Sequence, residues 1–161
     1  MDTTHTISVN VENRHGALSR IAGLFASRGY NIASLTVAET EDSSVSRMTI
    51  VVAGDESVLE QVVKQLNRLI DVIKVQDFVK DPVIDREIVL IRLDATKSTR
   101  HEIVSLASIF GGKVAAISPS SITIELTGTS RTIDDFLSMV KTYGVKELVR
   151  SGKVAMAQAR K

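Results

Sequence analysis

Asn13-Arg14-His15-Gly16-Ala17-Leu18-Ser19-Arg20-Ile21-Ala22-Gly23-Leu24-Phe25-Ala26-Ser27-Arg28-Gly29-Tyr30-Asn31-Ile32 is the stretch from which the fold can be read. It is a polar turn, an amphipathic helix, a glycine stop and the start of a strand. Leu18, Ile21, Ala22 and Phe25 recur at i, i+3, i+4 and i+7, which predicts one apolar helical face. Gly29 follows the last of them and can take the left-handed conformation that ends a helix. Upstream, Ile7, Val9 and Val11 alternate with Thr6, Ser8 and Asn10, the period of a half-buried strand. The joint between strand and helix is 13–17, and it contains Gly16.

A glycine at a strand-to-helix turn lets a ligand approach the backbone. The first N–H groups of the helix have no intrahelical partner and lie at the positive end of its dipole, which suits a carboxylate or phosphate. The Asn13 amide can both donate and accept. Two readings stand side by side. In one, Asn13 caps the helix and Gly16 only permits the turn, as these residue types commonly do. In the other, the turn holds a small ligand that carries both an ammonium and a carboxylate.

Working outward, strands are expected at 5–12, 32–38 and 45–53, the last two forming a hairpin across the polar turn 39–44. A second helix follows, with Ser57 and Glu60 at capping-box spacing and a stripe of Val58, Leu59, Val62, Val63, Leu66 and Leu69. A short strand at 72–78 completes the order βαββαβ. Asp81-Pro82 lies in 79–85, which has charges and no period, and reads as a linker. The order then begins again. A strand at 86–93 leads to a helix with Thr99 and Glu102 at capping-box spacing and a stripe of Ile103, Leu106, Ala107 and Phe110. A hairpin at 113–118 and 121–127 follows, then a helix marked by Ile133, Phe136, Leu137 and Val140, and a strand at 145–150. The remainder, 151–161, reads as a loose or partly strand-like tail. The expected class is α+β, two tandem ferredoxin-like domains at 1–78 and 86–161 joined by 79–85. One face of each sheet is left for a partner or solvent.

The 161 residues suffice for two small domains, and 43% of them are hydrophobic but only 4% aromatic. Twenty basic residues against nineteen acidic give a net charge of +1, which argues against binding nucleic acid by phosphate neutralisation. The absence of cysteine excludes disulfides and thiol catalysis. No apolar run approaches a membrane span of about 20 residues, and the first residues lack the pattern of a signal peptide. The expectation is a soluble, cytoplasmic protein.

The residues offer little catalytic chemistry. His5, His15 and His101 are far apart and none has metal-ligand spacing; His15 alone borders the turn. There is no nucleophile elbow, no phosphate-binding glycine loop and no dinucleotide fingerprint. Ferredoxin-like folds that bind RNA stack bases on aromatic residues of the sheet, and the first and third strands here carry none. Arg14, His15 and Arg20 could suggest an acyl-phosphate enzyme, but no activated nucleophile or base accompanies them.

Several segments resemble one family. Asn13 to Arg20, Gly23-Leu24-Phe25, Arg28-Gly29-Tyr30-Asn31-Ile32, Ser34 to Ala38 and Ser46 to Ile50 are similar to the ACT domain of the acetohydroxyacid synthase (acetolactate synthase) small, regulatory subunit. The likeness continues through Glu60-Gln61, Asp71-Val72, Arg86-Glu87, Ile109-Phe110 and Leu126-Thr127-Gly128-Thr129-Ser130. It implies a homodimeric, non-catalytic subunit that binds and activates a catalytic large subunit, with allosteric feedback inhibition by valine or a related amino acid, in branched-chain amino acid biosynthesis. The family's thiamine diphosphate, Mg2+ and FAD would sit in the large subunit, with no cofactor or metal in this chain. Asn13, Gly16, Ala17 and Leu18 would hold the amino acid from one chain, with His15 lining the turn. Asn31 and Ile32 would close it from the neighbour, with Ala38 nearby. The alternative is a stand-alone amino-acid-sensing protein acting on another partner.

Overall fold

A computed structural model describes residues 3–80 and 82–159. It divides into two compact units. The first contains β1 (Thr4–Glu12), α1 (Ala17–Arg28), β2 (Asn31–Glu39), β3 (Val45–Ala53), α2 (Glu56–Leu66) and β4 (Val72–Asp77). Its antiparallel sheet has the order β2-β3-β1-β4, the ferredoxin-like arrangement. Alternation puts Ile7, Val9 and Val11 of β1 and Met48, Ile50 and Val52 of β3 on one face. Ile21 and Phe25 of α1 and Leu59, Val62 and Leu66 of α2 close over them.

The buried stripe of α1 is Ala17, Ile21 and Phe25, whereas Leu18 and Ala22 are exposed. Ile21 and Phe25 are buried as expected, and the stripe is completed by Ala17 on one flank rather than by Leu18 and Ala22 on the other. Gly29 ends α1 at φ 68°, and the Tyr30 N–H reaches back to the Phe25 carbonyl at 3.1 Å. The cap of α2 is Asp55 rather than Ser57. Its carboxylate accepts from the Val58 N–H at 3.0 Å and the Ser57 hydroxyl at 2.7 Å. These bonds hold the Asp55 carboxyl below the usual range.

The second unit repeats the pattern with β5 (Val83–Asp94), α3 (Thr99–Ile109), β6 (Lys113–Ile117), β7 (Ser121–Gly128), α4 (Ser130–Val140) and β8 (Val145–Arg150). The strand order is β6-β7-β5-β8. Its core joins Val89, Ile91, Leu93, Ile122, Ile124 and Leu126 of the sheet to Ile103, Ala107, Ile133, Phe136 and Val140 of the helices. The Thr99–Glu102 capping box does not form. Thr99 instead exchanges backbone-to-hydroxyl bonds with Thr96, at 3.0 and 3.2 Å, and Glu102 accepts from the Tyr143 hydroxyl at 3.0 Å.

The tail differs most from expectation. From Lys153 it groups with the first unit, so the second ends at Gly152 rather than 161. Strand β9 (Val154–Ala157) pairs with β5 and sets its backbone against Thr36, Arg47 and Thr49, on the face of the first sheet opposite the helices. The Thr36 hydroxyl donates to the Lys153 carbonyl at 2.7 Å, and Arg47 Nη2 to the Ala155 carbonyl at 3.1 Å. The Ala155 N–H points at Thr49 Oγ1, 3.4 Å away, and Ala155 is buried. That face is thus covered in part by the chain's own end. The expected linker is partly strand, since β5 begins at Val83 and the Pro82 carbonyl accepts from the Gln158 N–H at 2.8 Å. Asp81, the other half of the linker pair, lies outside the described residues, as do positions 1, 2, 160 and 161.

Candidate functional site

The turn between β1 and α1 is built from both sides. The Glu12 N–H donates to the Asp71 carbonyl at 2.8 Å, and the Asn13 N–H to the Ser44 carbonyl at 2.7 Å. The Asn13 side chain donates to Glu39 Oε1 and to the Ser43 carbonyl, both at 2.9 Å. Asn13 is therefore not the helix cap. It braces the turn against the β2–β3 hairpin. The cap residue is Gly16 itself, at φ 86°, a conformation that costs an ordinary L-residue about 1–2 kcal/mol. It supplies no side-chain bond to the helix, and the first turn of α1 carries no acidic residue. The corresponding turn of the second unit is closed by the Thr96 and Thr99 hydroxyls.

Arg20 adds a cation to this end of α1. Its Nε donates to the carboxylate of Asp71, which is 5% exposed. The guanidinium holds the Asp71 carboxyl below the ordinary carboxylate range, first through the hydrogen bond and then through charge, and Arg14 acts in the same direction. Arg20 is raised in turn by the same bond. A Cβ at Gly16 would stand 3.3 Å from Arg20 Nη1. The positive pole of the helix thus opens on a glycine turn beside the paired guanidinium, an arrangement suited to a small anionic group.

Asn13, His15, Gly16 and Leu18 are brought together here with exposed or half-exposed side chains. Ala17 is adjacent, but its methyl is buried and its N–H is taken by the Arg14 carbonyl at 3.2 Å. Ala38 precedes Glu39, the residue that receives the Asn13 amide, yet it pairs with Arg47 and so belongs to the face away from α1. Asn31 and Ile32 lie beyond the far end of α1, which at 12 residues is roughly 18 Å long. Asn31 is exposed at the start of β2, an edge strand, and Ile32 packs partly on the core. Within one chain these two do not meet the turn.

Sequence reasoning met Asp71 only within the resemblance and gave it no role, and it weighed Arg20 only within the resemblance and a phosphate reading. Arg20 carries a local signal, since it falls four residues after Gly16 and precedes the buried Ile21. Asp71 lies 51 residues from Arg20, and only the fold connects them. Among the described residues no cluster of three or more His, Cys, Asp or Glu is placed to hold a metal, and no helix is long and apolar enough to cross a membrane.

Comparison with known proteins bears on the whole chain. Residues 7–74 match the family model for the AHAS small subunit-like ACT domain, and residues 86–159 that for the small subunit of acetolactate synthase. The chain is 50% identical over 157 residues to a probable acetolactate synthase small subunit of Archaeoglobus fulgidus, covering 98% of each chain. It is 44% identical to the acetolactate synthase isozyme 3 small subunit of Escherichia coli, covering 96% of each. The crystal structure of the acetolactate synthase small subunit from Thermotoga maritima superposes with a TM-score of 0.88 at 35% identity, over 98% of this chain and 99% of that one.

Proposed function

The chain belongs to the acetolactate synthase small-subunit family, with a regulatory role, and we propose that it binds and activates a catalytic large subunit and makes it sensitive to feedback by valine or a related branched-chain amino acid. The observation that carries this reading is the β1–α1 turn, where the left-handed Gly16 and the uncapped start of α1 leave room and positive potential for an α-carboxylate. The exposed Leu18 beside it offers an apolar surface to a branched side chain. Asn31 and Ile32, too far from their own turn, would close the site of a second copy, so the working unit is a homodimer with effector sites shared between chains. Thiamine diphosphate, Mg2+ and FAD would be held by the catalytic partner, and this chain would perform no chemistry of its own.

Effector selectivity within the branched-chain series rests on about one methylene, worth roughly 1–3 kcal/mol. Coupling between effector and catalytic sites is typically about 1–3 kcal/mol, enough for a 5–150-fold change. The test is acetolactate formation by the large subunit alone, with this protein, and with this protein plus valine, isoleucine or leucine. Stimulation that one of the amino acids reverses is the expected result. An unchanged rate on addition of this protein would overturn the activating role.

A further inference from the structure

The two units share one build, so the second serves as an internal reference for the first. Counted from the first residue of each helix, Ala17 and Thr99, Arg20 corresponds to Glu102. The strand end before each turn is tied alike: the Glu12 N–H donates to the Asp71 carbonyl at 2.8 Å, and the Asp94 N–H to the Gly144 carbonyl at 2.9 Å. Asp71 therefore corresponds to Gly144, which has no side chain. The fold closes in the second unit with Glu102 bonded to Tyr143 and the Asp94 carboxylate paired to Lys146, with no counterpart of the Arg20–Asp71 pair. Arg20 and Asp71 are thus an addition to the fold, not a requirement of it.

We infer that Arg20 and Asp71 are positioning residues for the amino-acid site at the β1–α1 turn, an inference that rests on the effector reading above. Asp71 holds both sides of the turn. Its carbonyl takes the Glu12 N–H at the end of β1, and its buried carboxylate takes the Arg20 Nε–H from the first helical turn. The loop that would meet the ligand is suspended between these two anchors. The same bond fixes the guanidinium in place, with Nη1 facing the space where Gly16 has no Cβ. A guanidinium without its carboxylate could swing through that space, and a carboxylate without its guanidinium would be left buried and unpaired. Either change disturbs the turn while leaving the apolar core, Ile7 to Leu66, intact.

The test titrates the full-length protein with valine, isoleucine and leucine by calorimetry, for wild type, Arg20→Gln, Asp71→Asn and the double variant. Val62→Ala, a truncation in the same core away from the turn, controls for loss of stability. For the amino acid that binds wild type, each single variant should weaken binding at least tenfold. The double variant should be no weaker than the singles, because either substitution breaks the same device. Val62→Ala should lower the Tm and leave Kd within twofold. Wild-type affinity in both single variants, additive losses in the double, or an equal loss in Val62→Ala would each overturn the inference while leaving the effector site standing. Failure of all three amino acids to bind wild type would overturn the effector reading, and the inference with it.

Discussion

Replacing Gly16 by Asp separates the fold from the proposed ligand site. The residue sits at φ 86°, where a side chain costs about 1–2 kcal/mol. Its new Cβ would lie 3.3 Å from Arg20 Nη1, a contact that a shift of a few tenths of an ångström relieves. A carboxylate at a helix N-terminus returns about 0.3–1 kcal/mol. The net loss is about 1 kcal/mol, or roughly 2–4 °C in Tm for a chain of this size. The ligand faces a larger penalty. Two carboxylates about 4 Å apart repel by about 4 kcal/mol at an effective dielectric constant of 20, roughly a thousandfold in affinity. Gly16→Ala carries the strain without the charge and should weaken the effector far less. The assay is inhibition of acetolactate formation across a valine titration, with the large subunit present and Tm measured in parallel. Full valine sensitivity in Gly16→Asp, or equal losses in Asp and Ala variants, would refute the reasoning.

Other consequences follow from the same structure. Phe136 is fully buried in the second core with its ring 5.5 Å from that of Phe110, so Phe136→Ala should cost about 3–5 kcal/mol in urea unfolding. The depressed carboxyls of Asp42, Asp55 and Asp71 contribute stability that is fully present above the ordinary aspartate range near 3.8 and is lost as pH falls through their lower folded values. Asp71→Asn should flatten that acid limb, as seen in Tm measured from pH 6 down to pH 2. Removing the Arg47 and Thr49 side-chain groups should loosen the tail, so Arg47→Ala/Thr49→Ala should be cut by trypsin after Lys153 faster than wild type.

Periodicity carried the helices and strands because their apolar residues bury by simple repeats. The strand at Val45–Ala53 has the expected bounds, and the helix at Ala17–Arg28 ends at the expected glycine stop. The flank of the α1 stripe escaped because Leu18 is more apolar than Ala17, yet tertiary packing buries Ala17 and leaves Leu18 exposed. Capping was misplaced for a similar reason. Asp55 and Ser57 are both competent caps, and the geometry of the turn after β3 selects the first. At the candidate site, Asn13, Gly16 and Leu18 are contiguous and legible. Asp71 enters only when β4 is laid beside β1, and no local pattern announces that pairing.

The course of the last strand bears on how the molecule is made. Ala155 and its partner Thr49 are 106 residues apart in the chain, with the whole second unit threaded between them. Synthesis delivers β1 to β4 early, and they can collapse around Ile7 and Phe25 on their own. Their outer sheet face keeps its polar groups wet until Lys153 to Ala157 has left the ribosome and returned to cover it. The first part of the protein to be born is therefore the last to be finished.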